Sequence, residues 1–161
     1  MGVIESTQAE LIGTKNRMLQ LLHETPADRV NWKPTPTGRS IVEIVAHCGH
    51  AIGNILQQLK GTPFAPGSSA EANGQFLAHD AQFQNATEVE AYLEQKCTDY
   101  IEFLGTLKPE DLDTICTLPF GLGQAPLGYF MTMGNAHTQG HIAQIEYIQT
   151  LYGDHDWHAG F

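Results

Sequence analysis

Apolar residues recur along this chain at helical rather than strand spacing, and the periodic runs break at proline and glycine. Between about Ser6 and Glu24, Leu11, Lys15, Met18, Leu19 and Leu22 fall on one helix face, and Pro26 closes the run. The stretch PADRVNWKPTPTGRS holds three prolines and a glycine, which predicts a break. Ser40, followed three residues later by Glu43, forms a capping box that starts a second helix at Ile41. It runs through IVEIVAHCGHAIGNILQQLK and stops at Gly61, a residue suited to the left-handed conformation at a helix end. From Gly61 to Ala86, including TPFAPGSSAEANG, the chain reads as a long connection able to cross a bundle. Thr87 and Glu90 make another capping box, and Val89, Leu93, Cys97, Tyr100, Leu104 and Leu107 then alternate at spacings of four and three, ending near Lys108-Pro109. DLDTICTLPFGLGQAP reads as irregular or weakly extended, and a fourth helix is predicted from near Pro126 to about Tyr152. The pattern is that of an all-α helical bundle.

Length and composition narrow the class. A chain of 161 residues with 42% apolar and 16% charged residues suits a single domain, residues 1–161, with a core of its own. Formal charge is −10 with only 8 Lys+Arg, so no basic stripe is available to neutralise phosphates, and the expectation is no nucleic-acid partner. The start, MGVIESTQAE, lacks a basic segment and a long apolar run, and no stretch approaches the roughly 18 apolar residues of a membrane span. Cys48, Cys97 and Cys116 are an odd, widely spaced set that reads as reduced thiols. A cytoplasmic protein is therefore expected, without a membrane partner.

The histidines carry the candidate chemistry. At about 100° per residue, His137 and His141 lie within roughly 40° of each other, and Phe130, Gly134, Ile145 and Ile148 lie within roughly 40° of His141. The pair is thus expected in the middle of a buried stripe, where two imidazoles are costly unless their nitrogens are occupied, and i, i+4 spacing suits a divalent cation. In the second helix the stripe centres near Cys48, read as core packing, with His47 about 100° off on the flank beside Ala51. His47 taken alone reads as an ordinary buried histidine, yet from that flank it can reach a neighbouring helix and supply a third ligand. His50, about 160° away, is expected in solvent. His23 and His79 read as surface residues, and Asp154, His155, Asp156 and His158 as a solvated terminus. Thr138 and Gln144, about 60° either side of His141, are placed to support the ligands. There is no Gly-rich phosphate loop and no nucleophile elbow.

WKPTPTGRSIVEIVAH, ending in His47, then the long bridging segment, then NAHTQGHIAQIEYI with His137, His141 and Gln144 in an H-x-x-x-H-x-x-Q arrangement, resemble the DinB-like, or YfiT-like, metalloenzyme superfamily over almost the whole chain. The resemblance implies an up-down-down-up four-helix bundle with a long crossover between helices two and three. It also implies a homodimer and one divalent metal ion, zinc or nickel, on His47, His137 and His141. Many relatives carry Glu after the first histidine of helix four and Arg-Gly between the second histidine and the glutamine; here these are Thr138, Ile142 and Ala143. The missing carboxylate removes an obvious general base for hydrolysis. Some relatives use a small-molecule thiol, a role that needs no such Glu. The expectation is a metal-dependent enzyme acting on a small molecule, a thiol-dependent S-transferase. Its rival is a non-catalytic metal-binding or dimeric scaffold with a stress-related role.

Overall fold

The computed structural model describes residues 2–159. Four long helices dominate: α1 (Val3–Glu24), α2 (Ile41–Leu59), α4 (Ala86–Leu104) and α6 (Met133–Leu151), with α3 (Ser69–Asp80) and α5 (Leu127–Phe130) as shorter pieces. The α1 helix ends at Thr25, ahead of Pro26, and α2 starts on the expected capping box, in which the Glu43 amide donates to Ser40 Oγ and the Ser40 amide donates to Glu43 Oε2 at 2.8 Å. Asn85 rather than Thr87 caps α4, its Oδ1 accepting from the amides of Thr87 and Glu88.

Cross-helix contacts fix the chain directions. Along α1 and α6, Thr14 meets Asn135 and Leu21 meets Gln149, so the two run parallel. Along α1 and α4, Gln8 meets Ile101, Lys15 meets Glu94 and His23 meets Glu90, which is antiparallel. Gly49 lies against Tyr92 and Gly53 against Lys96, so α2 and α4 run parallel. The result is the up-down-down-up bundle expected, which requires a crossover between the two parallel helices. Its core joins Leu11, Met18, Ile52, Leu93, Tyr100 and Ile145, all fully buried.

Three expectations change. The Gly61–Ala86 connection is not loop throughout, because residues 69–80 form α3, capped by Ser68, whose Oγ accepts from the Glu71 amide. Its buried residues are Ala72 and Asp80, so it offers no apolar stripe to read. The fourth helix does not run unbroken from Pro126: α5 ends at Phe130, the buried Tyr100 hydroxyl donates to the Met131 carbonyl at 2.8 Å, and α6 starts at Met133. Upstream, Ile115–Thr117 (β1) and Gln124–Pro126 (β2) pair antiparallel, so the weakly extended segment is a short hairpin. Among the described residues no helix is long and apolar enough to cross a membrane. The C-terminal tail is tied down in part, since Arg17 donates to the carbonyls of Trp157 and His158 and His158 Nε2 lies 2.8 Å from Asp154 Oδ2, while the side chains of His155, Asp156 and Trp157 stay exposed.

Candidate metal centre

Two helices and a crossover build the site. The first half of α2 is buried on every side, because α4, α6 and α3 all pack against it. His47 therefore leaves the flank position its helix angle assigns and becomes a buried residue, 8% exposed. His137 and His141 project from α6 and are half-buried. They do not occupy the middle of the buried stripe; that line is taken by Gly134, Thr138, Ile145 and Ile148. The reason is that α6 packs between α1 and α2, and the histidines stand on its α2 side.

The structure brings the three predicted ligands together. His47 Nε2 and His137 Nε2 are 3.2 Å apart, and one ring nitrogen from each of His47, His137 and His141 lies within 4.8 Å of the others. Bonds of about 2.0–2.1 Å at tetrahedral angles would separate neighbouring nitrogens by about 3.3 Å, so the closest pair already stands at ligand spacing. Among the described residues no fourth His, Cys, Asp or Glu joins this group. That leaves a coordination position for an outside molecule.

The surrounding contacts orient the rings. Gln144 Oε1 accepts from His141 Nδ1 at 2.7 Å, which turns Nε2 of that ring toward the cluster. Asp80, at the end of α3 and 1% exposed, sets Oδ2 3.3 Å from His47 Nδ1, and Arg39 Nε donates to the same oxygen at 2.9 Å. The His47 contact lacks the geometry of a well-directed hydrogen bond. Phe76, also from α3, packs edge-on against His47 at 4.8 Å between ring centroids. Thr138, by contrast, spends its hydroxyl on the Gly134 carbonyl at 2.8 Å and does not support the ligands.

Titration follows from this burial. Burial first, then the neighbouring His141 and His47, push His137 down to about 3. His141 falls to about 4, again through burial and then His47, against the opposing bond to Gln144. Both rings are neutral near pH 7, with lone pairs free for a cation. Burial alone would raise the Asp80 carboxyl, but the contacts from His47, Arg39 and His79 outweigh it and hold it below the ordinary range. Burial likewise pushes the Cys48 thiol well up, as befits a core residue.

Two further expectations are corrected. His50 is not in solvent: it is half-buried, its ring packs against His79 at 4.0 Å and Phe76 at 4.7 Å, and burial with the neighbouring His79 lowers it to about 4. His79 is not a free surface residue either, since Nδ1 lies 3.3 Å from Asp80 Oδ1 and Nε2 3.3 Å from the Tyr92 hydroxyl. Both changes have one cause, the α3 helix lying over this face of α2. Sequence reasoning missed Asp80, Arg39 and Phe76: Asp80 and Phe76 stand in no motif or apolar period, and Arg39, though inside WKPTPTGRSIVEIVAH, has no neighbour in sequence that marks its partner. His23 does stay exposed, paired with Glu90 at 2.9 Å.

Residues 10–145 match the sequence profile of the DinB superfamily. No curated protein matches the chain. Among solved structures, YfiT from Bacillus subtilis aligns with a TM-score of 0.75 at 15% identity, over 93% of this chain and 87% of that one, and is described as "a probable metal-dependent hydrolase with an unusual four-helix bundle topology". A DinB-like protein of B. subtilis, YjoA, aligns with a TM-score of 0.65 at 15% identity, over 94% of each chain. The colibactin self-resistance protein ClbS, solved in complex with dsDNA, aligns with a TM-score of 0.70 at 10% identity, over 91% of this chain and 94% of that one. This overturns the exclusion of nucleic acid drawn from charge. Net charge sums the whole surface, whereas a duplex meets one face, so −10 does not decide the matter for this fold.

Proposed function

Because the chain belongs to the DinB superfamily, we propose that it is a metal-dependent enzyme acting on a small molecule, a thiol-dependent S-transferase, with His47, His137 and His141 holding one divalent ion, zinc or nickel. The observation that carries this reading is the convergence of three imidazole donors from α2 and α6, two of them 3.2 Å apart. A divalent ion bound there supplies Lewis-acid chemistry and lowers the pKa of a thiol or water placed beside it.

The chain's own residues prepare that chemistry. Asp80 holds the Nδ1 side of His47, and Gln144 holds that of His141, so both Nε2 atoms are kept for the site. Arg39 balances the Asp80 charge and engages Oδ2, while Oδ1 faces His79. With the Asp80 oxygens so occupied, and with Thr138 where relatives carry Glu, neither position offers a free carboxylate to act as base on water. An acidified thiol needs none: its proton passes to solvent, sulfur bonds to the electrophilic carbon, and the leaving group departs with its electron pair. Cys48, Cys97 and Cys116 are all unpaired, which supports a reducing, cytoplasmic setting. Hydrolysis is the second reading, and the description of YfiT is what favours it.

Elemental analysis of untagged protein and of His47→Ala and His137→Ala tests the centre. Stoichiometric metal, lost in both variants, is expected; equal metal in all three overturns the ligand assignment. A panel of thiols with an electrophile, run with and without chelator, tests the reaction. Chelator-sensitive, thiol-dependent turnover is expected. Turnover without thiol supports hydrolysis, and bound metal with no turnover supports a non-catalytic role.

A further inference from the structure

A second group of donors stands on the other side of Asp80. His50 from α2, with His79 and Asp80 from the end of α3, offers one ligand atom each, all within 4.8 Å of one another. His79 Nδ1 and Asp80 Oδ1 are 3.3 Å apart. That is longer than the ~2.7–2.9 Å of a charge-assisted hydrogen bond and close to the edge of a tetrahedron of metal ligands, about 3.3 Å. His50 Nδ1 is buried and has no hydrogen-bond partner, an arrangement that folded proteins rarely tolerate without an occupant. The two imidazoles pack ring to ring at 4.0 Å, bringing two potential donors side by side in a half-buried recess.

We propose that His50, His79 and Asp80 form a second divalent-cation site, linked to the three-histidine centre through the two oxygens of Asp80. Two imidazoles and one carboxylate are a donor set for zinc and similar borderline cations rather than for calcium or magnesium. The Tyr92 hydroxyl, 3.3 Å from His79 Nε2, accepts from that ring and fixes its orientation when Nδ1 is the ligand. His50 flanks a cavity of about 220 Å³ lined also by Asn54, Gln57, Phe64, Gln75 and Phe76, which gives the recess an opening to an outside ligand. Asp80 presents Oδ2 to His47 and Oδ1 to His79, so occupancy of one centre is felt at the other.

The test is equilibrium dialysis of the full untagged chain against Zn²⁺, followed by elemental analysis, with Co²⁺ absorption as a second readout. Two equivalents are expected for the native chain, one for His50→Ala, one for His79→Gln and one for His137→Ala; the α2 and α3 variants are used together so that a folding failure in one, seen by circular dichroism, leaves the other decisive. One equivalent in the native chain, lost in His137→Ala but kept in His50→Ala and His79→Gln, overturns the second site and leaves the three-histidine centre standing. One equivalent lost in His50→Ala and His79→Gln but kept in His137→Ala supports the second site and overturns the first.

Discussion

The two histidine groups share α2 and share Asp80, yet they are built in opposite ways. His47, His137 and His141 come from two long helices of the bundle core, where periodic apolar packing holds the backbone that carries them. His50, His79 and Asp80 depend on α3, a helix whose buried residues are only Ala72 and Asp80. A site set on core helices is positioned by the same packing that folds the chain, whereas a site set on a crossover exists only where that crossover docks. The difference between them is legibility, and the joint between them is one carboxylate.

The largest expected effect strikes that joint. Asp80→Asn removes the charge facing His47 and His79 and leaves Arg39 without its partner, so metal affinity at the three-histidine centre should fall about 10–100-fold. Calorimetric titration of Zn²⁺ checks it. Unchanged affinity at the three-histidine centre would show that this carboxylate does not support it, and unchanged affinity at the second group would remove Asp80 from its ligands.

Next in size is Gly49→Ala, on α2 between the two groups. A Cβ there would stand 2.8 Å from the Tyr92 ring, which must move and take its hydroxyl away from His79. Overpacking of this kind costs about 1–3 kcal/mol, measured by denaturant unfolding. The perturbation should register at His50 and His79 and spare His137 and His141. Equal loss at both would mean that the α2–α4 seam controls the whole cluster.

Acid acts on both groups at once. In the metal-free chain His137 sits near 3, and His141 and His50 near 4, below the ordinary histidine value of 6.5. Between pH 6.5 and 4 the folded chain therefore holds fewer protons than the unfolded chain, and stability falls as pH falls through that window. Above pH 6.5 these groups add no pH dependence. Thermal melts from pH 8 to 4 should be flat, then descend; a flat profile throughout would show that these rings take up protons without hindrance.

The smallest effect isolates the first group. Gln144 is exposed and touches the cluster only by accepting from His141 Nδ1, so Gln144→Ala should weaken metal binding by a few-fold and unfolding stability by about 1 kcal/mol or less. Loss as large as that for Asp80→Asn would make the glutamine an equal partner in positioning.

Most of the frame was legible. The Ser40–Glu43 capping box and Pro26 mark helix ends through local chemistry, and the Val89-to-Leu104 period marks α4 because one face must meet the core. His137 and His141 declared themselves by i, i+4 spacing on such a face. Helix angle alone misjudged burial, however, placing His50 in solvent and His141 at the stripe centre, because a single helix does not say how many neighbours will pack on it. Asp80 and Phe76 had no local signal, and Arg39 had none beyond its place beside the Ser40 cap.

From its residues alone, this chain determined the long helices, their caps and the three imidazoles that α2 and α6 carry, since period and capping depend on neighbours within a few positions. Only the tertiary structure decided that α3 lies over α2, that Asp80 reaches His47 and His79, and that Arg39 offsets its charge. The contacts of Asp80 with Arg39 and His47 join residues about 30 to 40 positions apart, and the energy that selects them is packing between helices, which no short window of sequence contains.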